Sequence, residues 1–332
     1  MNLWIANPRG FCAGVDRAVK IVDELIDLVG APVYVRHEIV HNHHVVERLR
    51  GKGAVFVDDL ASVPRGALAV ISAHGAAPGV QAQARTLGLR LFDATCPLVS
   101  KVHLEVVRHA RAGRRVIVIG HRDHVEVIGT VGHYANSEGD GIAVVENEDE
   151  ARQVSVPRPD HVAYVTQTTL AVETSARIVA VLRGRFPALI APHHEDICYA
   201  TQNRQDAVRR LSGRCSHVYV LGAPHSSNSV RLVEVAQESG AQARLIERAD
   251  DIDRDWFASA RHLGLTSSAS APECLVTEAI ARLQQLVPTL AVREVGVPEQ
   301  VVFKLPAAVA DLRRVERPAV GASAVQTASA SF

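Results

Sequence analysis

Three of the five cysteines lie in sequence contexts of the same kind, each shortly before a predicted helix. Cys12 follows a predicted strand in NPRGFCAGV, Cys96 follows another in DATCPLV, and Cys198 follows the strand-like ALIAP in EDICYATQNRQ. Successive members of this set are roughly 100 residues apart, about the length of one small α/β domain. Because the amino ends of helices favour negative charge, they stabilise thiolates. The pattern predicts three α/β lobes that each contribute one sulfur to a shared centre.

Three thiolates without a fourth matching cysteine are compatible with two kinds of metal centre. One is an iron–sulfur cluster in which one iron has no protein ligand. The other is a zinc ion whose fourth ligand is water. We interpret Cys215, at the edge of a predicted strand, and Cys274, in an amphipathic helical pattern, as structural, since cysteine commonly serves as a small apolar side chain.

Polar side chains that suit a phosphate ligand follow several other predicted strands. They lie in three histidine loops and three hydroxyl-rich loops, and the candidate ligands among them are His41, His74, His124, Thr168, Ser226, Ser227, Asn228 and Ser270. One hydroxyl-rich loop alone would indicate only a helix N-cap. Six loops at the carboxyl ends of parallel strands indicate a pocket rich in hydrogen-bond donors. Such a pocket is expected to bind a phosphate or a diphosphate group.

Glu126, in GHRDHVEVIGT, is the loop carboxylate that we interpret as a proton donor. Attraction to the positive end of a helix dipole explains a glutamate in a first helical turn equally well, and this alternative stays open at the level of the sequence. The hydroxyl of Thr168 could relay a proton, because a hydroxyl both donates and accepts hydrogen bonds.

His37, Glu38 and His41 match the HExxH pattern of zinc proteases, which needs a helix so that both rings share one face. Here the segment PVYVRHEIV is predicted to be a strand. Two positions four apart on a strand are about 13 Å apart, which is too far to share one zinc ion. We therefore do not interpret this motif as a metal site.

The composition of the chain limits its partners. The 332 residues include 36 Lys+Arg and 36 Asp+Glu, so no global basic field attracts nucleic acid or an anionic membrane. No apolar run approaches the ~18 residues of a membrane span, and the N-terminus lacks the pattern of a signal peptide. Five widely spaced cysteines disfavour a disulfide framework. We expect a cytoplasmic protein that binds neither nucleic acid nor membrane.

Short β-branched runs alternate with amphipathic stretches along most of the chain, which is typical of parallel sheets covered by helices. We expect an α/β fold of three pseudo-repeated lobes with mainly parallel sheets, and one predicted strand spans residues 188–190. Residues 286–332 are expected to form a C-terminal extension, irregular or disordered from about Pro306. The expected lobes are 1–95, with Cys12, His41 and His74; 96–193, with Cys96, His124, Glu126 and Thr168; and 194–285, with Cys198, Ser226, Asn228 and Ser270.

The ordered motifs of the chain resemble those of the 4-hydroxy-3-methylbut-2-enyl diphosphate reductase family, also called IspH or LytB. The motifs are NPRGFCAGVDRA, HEIVHN, SAHG, DATCPLVSKVH, GHRDHVEVIGT, TQTTL, DICYATQNRQ, SSNSVRL and SASAPE. They run from about Asn7 to Glu273, and a weaker similarity in EQVVFKLP reaches about Pro306. No motif alone is specific, but the combination is.

The resemblance implies a trefoil-like arrangement of the three lobes around a central cluster site. One [4Fe–4S] cluster per chain would be held by Cys12, Cys96 and Cys198, and one iron would have no protein ligand. The substrate hydroxyl would bind that iron near His124, Thr168 and the catalytic Glu126. The substrate diphosphate would be held by His41, His74, Ser226, Asn228 and Ser270, with Ser227 close by.

The resemblance also implies the reaction and its partners. The family removes the substrate hydroxyl with two electrons and two protons, yielding isopentenyl and dimethylallyl diphosphates, the last step of the non-mevalonate pathway of isoprenoid biosynthesis. The partners would be this small diphosphate substrate and a ferredoxin- or flavodoxin-like electron donor. The reaction is consistent with elementary chemistry, since a Lewis-acidic iron makes hydroxide a better leaving group.

Two other functions are considered beside the reductase. One is a non-redox zinc enzyme that acts on a phosphorylated substrate through the three thiolates and a bound water. The other is a non-enzymatic iron–sulfur binding protein. The chain also differs from the family pattern in places: His225 stands where an asparagine usually precedes Ser-Ser-Asn, and Ser268 stands where glycine is usual.

Overall fold

The structure, a computed structural model, describes residues 1–316, and for residues 313–316 it describes the backbone alone. The chain folds into three sheets, and every strand pair within the described residues is parallel. The expected α/β fold with three parallel sheets is therefore confirmed. The expectation of a disordered chain end falls partly on residues 317–332, which lie outside the described residues.

The strands in residues 1–316 are short, as expected for parallel strands joined by crossover helices. In chain order they are β1 (Asn2–Ala6), β2 (Val33–Arg36), β3 (Ala54–Val57), β4 (Leu68–Ile71), β5 (Arg90–Asp93), β6 (Arg115–Ile119), β7 (Ile142–Val145), β8 (Val162–Thr166), β9 (His217–Leu221), β10 (Gln242–Ile246), β11 (His262–Ser267) and β12 (Ala291–Val295).

The helices connect these strands and cover the sheets. In chain order they are α1 (Ala13–Val29), α2 (His43–Lys52), α3 (Pro78–Thr86), α4 (Pro97–Arg111), α5 (Val125–Val131), α6 (Glu148–Gln153), α7 (Val172–Arg185), α8 (Tyr199–Ser212), α9 (Ser227–Glu238), α10 (Glu273–Leu286) and α11 (Ala307–Glu316). Within the described part of the chain, no helix is both long enough and apolar enough to cross a membrane.

Each sheet has its own strand order. The order is β3-β2-β4-β5 in the first sheet, β7-β6-β8 in the second and β10-β9-β11-β1-β12 in the third. In the third sheet β1 lies between β11 and β12, with Leu3 opposite Leu263 on one side and Val292 on the other. The strand at the start of the chain is therefore held between two strands from its last third.

Two strands do not follow the lobe boundaries expected from the sequence. Strand β1 begins the lobe expected over 1–95, and β12 lies in the extension expected over 286–332, yet both belong to the sheet of the lobe expected over 194–285. The boundaries themselves stay a prediction. A local pattern predicts that a strand exists but not which strand it pairs with, because the pairing is non-local.

Two local expectations are wrong. Residues 188–190 do not form a strand of a sheet, and Ile190 makes only an isolated parallel bridge to Ala163. Pro187 and Pro192, which flank this segment, lack the N–H group that a ladder needs. The chain is also not irregular from Pro306, because α11 begins at Ala307 and packs against α1, with Val309 fully buried in the core of the first lobe.

Helix α1 is fixed by an apolar face with helical spacing. Ala18, Ile21, Val22 and Leu25 are all fully buried and follow the helical spacing i, i+3, i+4 and i+7, so they share one side of the helix. They pack in one core with residues of β2 and β4. Burying a side chain such as leucine or isoleucine stabilises a protein by about 1.5–3 kcal/mol, so this face holds the amino end of α1 in place.

Arg204, in α8, is the largest of the fully buried side chains in the described residues. Its guanidinium donates hydrogen bonds to the Gly10 carbonyl at 2.8 and 3.1 Å and to the Ala200 carbonyl at 2.9 Å. It also forms an ion pair with Glu299 at 3.1 Å. Arg204 therefore ties the loop before Cys12 and the segment after β12 to the amino-terminal half of α8.

Replacing Arg204 by methionine is expected to lower the free energy of unfolding by about 3 kcal/mol. The substitution leaves the Gly10 carbonyl and the Glu299 carboxylate without their buried donor. Urea unfolding of the purified protein measures the change. The matched control is Arg209→Met, in the same helix, which removes more exposed ion pairs with Glu173 and Asp206 and should cost less than about 1 kcal/mol. Equal losses in the two variants would contradict the role assigned to Arg204.

Candidate functional site

The three cysteines of the matching sequence contexts occupy the N-cap positions of three helices. Cys12 caps α1, Cys96 caps α4 and Cys198 caps α8. The sulfur of Cys12 accepts a hydrogen bond from the Val15 N–H at 3.4 Å, and that of Cys198 accepts one from the Thr201 N–H at 3.3 Å. Each sulfur thus lies at the positive end of a helix, where a thiolate is stabilised.

The three sulfur atoms face one cavity. A Cβ atom placed on Gly14 would lie 2.6 Å from the Cys96 sulfur and 3.8 Å from the Cys12 sulfur. Glycine at this position therefore leaves the room in which the two sulfurs approach each other. Cys198 is close enough that its charge and that of Cys12 both act on Cys96.

Burial makes two of these sulfurs, those of Cys96 and Cys198, poor at holding negative charge without a cation. It raises the pKa of Cys96 to about 12 and the pKa of Cys198 to about 11. The neighbouring cysteine charges raise both values further, while hydrogen bonds from helix N–H groups lower them. A positively charged inorganic group between the three sulfurs would remove this penalty, since thiolates are the form that binds metals.

The three sulfurs are not all as close together as one zinc ion would require. A tetrahedral zinc ion with Zn–S bonds of about 2.3 Å needs sulfur atoms about 3.8 Å apart. Among the described residues, the one group of three metal-binding side chains with all ligand atoms within 4.8 Å of one another is Glu38, His41 and His225. The three sulfurs are therefore more widely spread than a zinc site requires. Of the other cysteines, Cys215 is buried in a separate core and Cys274 is exposed.

Three histidine rings form a cluster on another side of the cavity. The rings of His41 and His74 stack with their centroids 4.1 Å apart, and His124 lies edge-on to both, at 5.4 and 5.8 Å. Burial and the neighbouring rings lower the pKa of His124 to about 4 and the pKa of His74 well below its usual range. His74 and His124 are therefore uncharged at neutral pH and act as hydrogen-bonding groups.

The start of α9 supplies hydroxyl and amide groups to the same cavity. Ser226 caps α9 and accepts a hydrogen bond from the Ser229 N–H at 3.3 Å. The Oδ1 atom of Asn228 accepts from the Ala269 N–H at 2.9 Å, whereas its Nδ2 atom is buried without a hydrogen-bond partner. A buried NH₂ group without an acceptor costs free energy, so its position in the cavity favours an anionic ligand.

Ser270 joins the loop after β11 to the histidine cluster. Its hydroxyl donates a hydrogen bond to the His41 carbonyl at 2.9 Å. Ser227 lies at the first position of α9, and its hydroxyl accepts a hydrogen bond from Thr169 at 3.4 Å. These contacts bring the carboxyl ends of strands from all three sheets to one place.

Glu126 is almost fully buried, at 3% exposure, in the first turn of α5. Its carboxyl group accepts hydrogen bonds from the Thr168 N–H at 2.6 Å and from the Thr168 hydroxyl at 2.9 Å. Burial raises the pKa of Glu126 to about 7 and the nearby Asp196 adds to the rise, although the Thr168 hydrogen bonds act in the opposite direction. Such a pKa allows a carboxyl group to hold and release a proton at neutral pH.

The Glu126–Thr168 pair is connected to one of the three cysteines. The Thr168 carbonyl accepts hydrogen bonds from the Cys198 N–H at 3.0 Å and from the Thr201 hydroxyl at 3.2 Å. The Thr201 hydroxyl also lies 3.1 Å from the Cys198 sulfur. The proton-holding group is therefore fixed relative to the sulfur centre through a single loop residue.

All the residues that the sequence predicts for the site line this one cavity. They are Cys12, Cys96, Cys198, His41, His74, His124, Glu126, Thr168, Ser226, Ser227, Asn228 and Ser270. Their separate roles as ligands or as a proton donor stay predictions. Apolar side chains complete the lining, namely Val15, Val40, Leu98 and Val99.

Two contributors are absent from the sequence-based set of site residues. Thr201 lines the cavity, and the Glu38 carboxylate accepts a hydrogen bond from Nδ1 of His41 at 3.2 Å. Glu38 belongs to the HExxH-like motif, which lies neither on a helix nor, beyond Arg36, on a strand. The motif therefore does not form a zinc-protease site, but its glutamate does orient one of its histidines.

Comparison with known proteins agrees with this arrangement. A family model described as LytB protein matches residues 3–284. A protein of Methylococcus capsulatus named 4-hydroxy-3-methylbut-2-enyl diphosphate reductase is 50% identical over 315 residues, which make up 95% of this chain and 99% of that protein. A protein of the same name from Xylella fastidiosa is 52% identical over 309 residues, 93% of this chain and 98% of that protein.

A solved structure shows the same similarity. The E-1-hydroxy-2-methyl-but-2-enyl-4-diphosphate reductase from Plasmodium falciparum superposes with a TM-score of 0.89 at 36% sequence identity, covering 95% of this chain and 98% of the other. The family model covers most of the chain, and both curated relatives are matched over nearly their full lengths. The chain therefore belongs to the LytB protein family.

Proposed function

We propose that this protein reduces (E)-4-hydroxy-3-methylbut-2-enyl diphosphate to isopentenyl diphosphate and dimethylallyl diphosphate. The carbon–oxygen bond of the hydroxyl group breaks, two electrons and two protons are taken up, and the oxygen leaves as water. The observation that carries the proposal is the single cavity in which three cysteine sulfurs, a carboxyl group of raised pKa and a set of hydrogen-bond donors meet. Relatives at about half identity carry the name of this reductase.

One [4Fe–4S] cluster per chain is assigned to Cys12, Cys96 and Cys198, with one iron free of protein ligands. The raised pKa values of Cys96 and Cys198 and a spread of the three sulfurs wider than that of a zinc site support this assignment. Bound there, the cluster supplies single electrons and a Lewis-acidic iron for the substrate hydroxyl. Each of the three cysteines lies at the N-terminus of a different helix, and all three are free.

The diphosphate group is assigned to the cavity side formed by His41, His74, Ser226, Asn228 and Ser270, with Ser227 close by. The unpartnered Nδ2 of Asn228 supports this placement, since a phosphate oxygen would satisfy it. The amino end of α9 adds N–H groups and a positive dipole end. The apolar side chains of the lining suit the hydrocarbon part of the substrate and exclude water from it.

Glu126 is assigned as the proton donor to the leaving oxygen and Thr168 as its positioning partner. The two Thr168 hydrogen bonds hold both carboxyl oxygens, so the orientation of the carboxyl group is fixed. A hydroxyl that donates and accepts allows Thr168 to pass a proton between Glu126 and the cavity. His124 lies next to this pair, because its Nδ1 accepts a hydrogen bond from the Glu126 N–H at 3.2 Å.

The reaction needs two partners beside the protein, a small diphosphate substrate and an electron donor. A ferredoxin- or flavodoxin-like donor fits because such proteins deliver electrons singly to a cluster. We assign the protein to the cytoplasm, since all five of its cysteines are free, as expected for a reducing compartment.

Anaerobic turnover tests the proposed function directly. The protein purified without oxygen is expected to contain iron and sulfide and to convert the hydroxylated diphosphate into the two products with a chemical reductant. The products are quantified by chromatography. Stoichiometric zinc without iron would instead support a non-redox zinc enzyme, and a cluster without any turnover would support a non-enzymatic iron–sulfur protein. Either result would overturn the proposal.

Cluster content distinguishes the three assigned cysteines from the others. Replacing Cys198 by alanine removes one sulfur from the cavity, so the iron content of the anaerobically purified protein is expected to fall to a small fraction. Replacing Cys215 by alanine changes a residue of a separate core and should leave the iron content unchanged. Iron and sulfide assays give the answer. Loss of iron in the Cys215 variant alone would mean that the wrong thiols were assigned.

Replacing Glu126 by glutamine tests the proton donor. Glutamine keeps the shape of the side chain and its contacts with Thr168 but lacks the acidic proton, so kcat is expected to fall by about 10²-fold or more at unchanged iron content. Glu146→Gln is the control, because Glu146 is a partly exposed loop carboxylate that pairs with Arg122. Wild-type turnover in the Glu126 variant would remove this residue from the mechanism.

The pH profile of kcat provides the second readout for Glu126. The protonated form is the active form, and the pKa of this carboxyl group is about 7. Turnover is therefore expected to be constant below this pH and to fall about tenfold for each pH unit above it. The residual rate of the glutamine variant should not show this fall.

A further inference from the structure

Glu38, His41 and His225 form a group whose ligand atoms all lie within 4.8 Å of one another. The Oε2 atom of Glu38 lies 3.2 Å from Nδ1 of His41 and 3.0 Å from Nε2 of His225. The two imidazole rings stand edge to face with their centroids 5.4 Å apart. One carboxylate oxygen thus lies between two imidazole nitrogens.

Two loops from different sheets build this group. Glu38 and His41 lie between β2 and α2, whereas His225 lies between β9 and α9. The side chains of His41, Glu38 and His225 are 19%, 35% and 46% exposed, so an ion can reach them from solvent. His225 is the residue that stands where the family pattern has asparagine, and it completes the group.

The donor set and its spacing suit zinc. Two imidazoles and one carboxylate, with the fourth position left to water or a ligand, form a well-known kind of zinc site. Bonds of about 2.0–2.1 Å in tetrahedral geometry place neighbouring ligand atoms about 3.3 Å apart. Two of the three separations, 3.2 and 3.0 Å, are already close to this value.

We propose that Glu38, His41 and His225 bind one Zn²⁺ ion on the outer side of His41. The ion takes Nδ1 of His41, the nitrogen that is otherwise hydrogen-bonded to Glu38. Each neutral imidazole then presents the lone pair of its ligand nitrogen to the ion and carries its single proton on the other ring nitrogen, and the fourth position of the ion stays open.

The ion has a consequence for the neighbouring anion site, and this consequence rests on the proposed function. An imidazole whose Nδ1 is bound to a metal carries its remaining proton on Nε2. His41 then acts permanently as a donor beside an added positive charge, and it already lines the cavity assigned to the diphosphate. Zinc is therefore expected to lower KM for the substrate severalfold and to leave kcat unchanged.

Zinc binding is measured on the cluster-loaded protein. The anaerobically purified chain is dialysed to equilibrium against low-micromolar ZnCl₂, and zinc and iron are counted together. One zinc per chain at unchanged iron content is the expected result. Zinc bound only as iron is lost would mean that the cysteines took it up, and no bound zinc would mean that the group is only a hydrogen-bonded cluster. Either result would overturn the site.

Two variants and a matched control assign the bound zinc to these side chains. His225→Asn and Glu38→Gln each remove one ligand and are expected to weaken zinc binding at least about tenfold. His121→Asn is the control, because His121 is also an exposed loop histidine near a carboxylate, Glu146 at 3.7 Å, but lacks a third ligand. Equal loss of zinc in the control and in the His225 variant would contradict the assignment.

Steady-state kinetics with one equivalent of zinc test whether the bound ion affects substrate binding, separately from whether it binds at all. We expect zinc to lower KM in the wild type and to leave KM unchanged in the His225 variant. An unchanged KM in zinc-loaded wild type would overturn the role in substrate binding. A protein that binds zinc as described but shows no turnover with or without it would keep the zinc site and refute the proposed reductase instead.

Discussion

The structure depends on bringing three sulfur atoms to one cavity, where burial and neighbouring cysteines make two of them, those of Cys96 and Cys198, hard to ionise. Burial and mutual charge raise the pKa of Cys96 to about 12 and of Cys198 to about 11. Only a rigid scaffold maintains such a cluster, and here each cysteine caps a different helix. Gly14 leaves the space for the approach of two of them, and Arg204 fixes the loop before the first. The energetic cost of this arrangement is what makes a cationic group stable there.

The same burial that penalises the thiolates also prepares the rest of the cavity. It raises the pKa of Glu126 to about 7, because the loss of solvation outweighs the two hydrogen bonds from Thr168. It lowers the pKa of His124 to about 4, so that ring stays neutral beside the carboxyl group. Burial disfavours the charged form of both groups. It therefore leaves the carboxyl group protonated and the histidine unprotonated.

The sequence predicts the parts of the fold that depend on local pattern. Matching contexts around Cys12, Cys96 and Cys198 were sufficient to infer helix starts, and the structure brings all the predicted site residues to one cavity. The sheet membership of β1 and β12 could not be inferred, because pairing joins residues far apart in the chain. Helix α11 was not predicted, because the contact that buries its apolar side is with α1, which lies far away in the chain. The contact of Glu38 with His225 likewise joins two loops that no local motif connects.

The electrostatics of the anion site differ from those of a site built on basic side chains. Among the described residues that line the cavity there is no lysine or arginine, and His74 and His124 are uncharged. In the proposed function, a multiply charged diphosphate would therefore meet hydroxyl, amide and imidazole N–H donors and the amino end of α9. Such donors would add no fixed positive charge beside the proposed cluster. They would also leave the charge of the ligand incompletely balanced, so a cation bound next to His41 would act on affinity more strongly than it would beside a lysine.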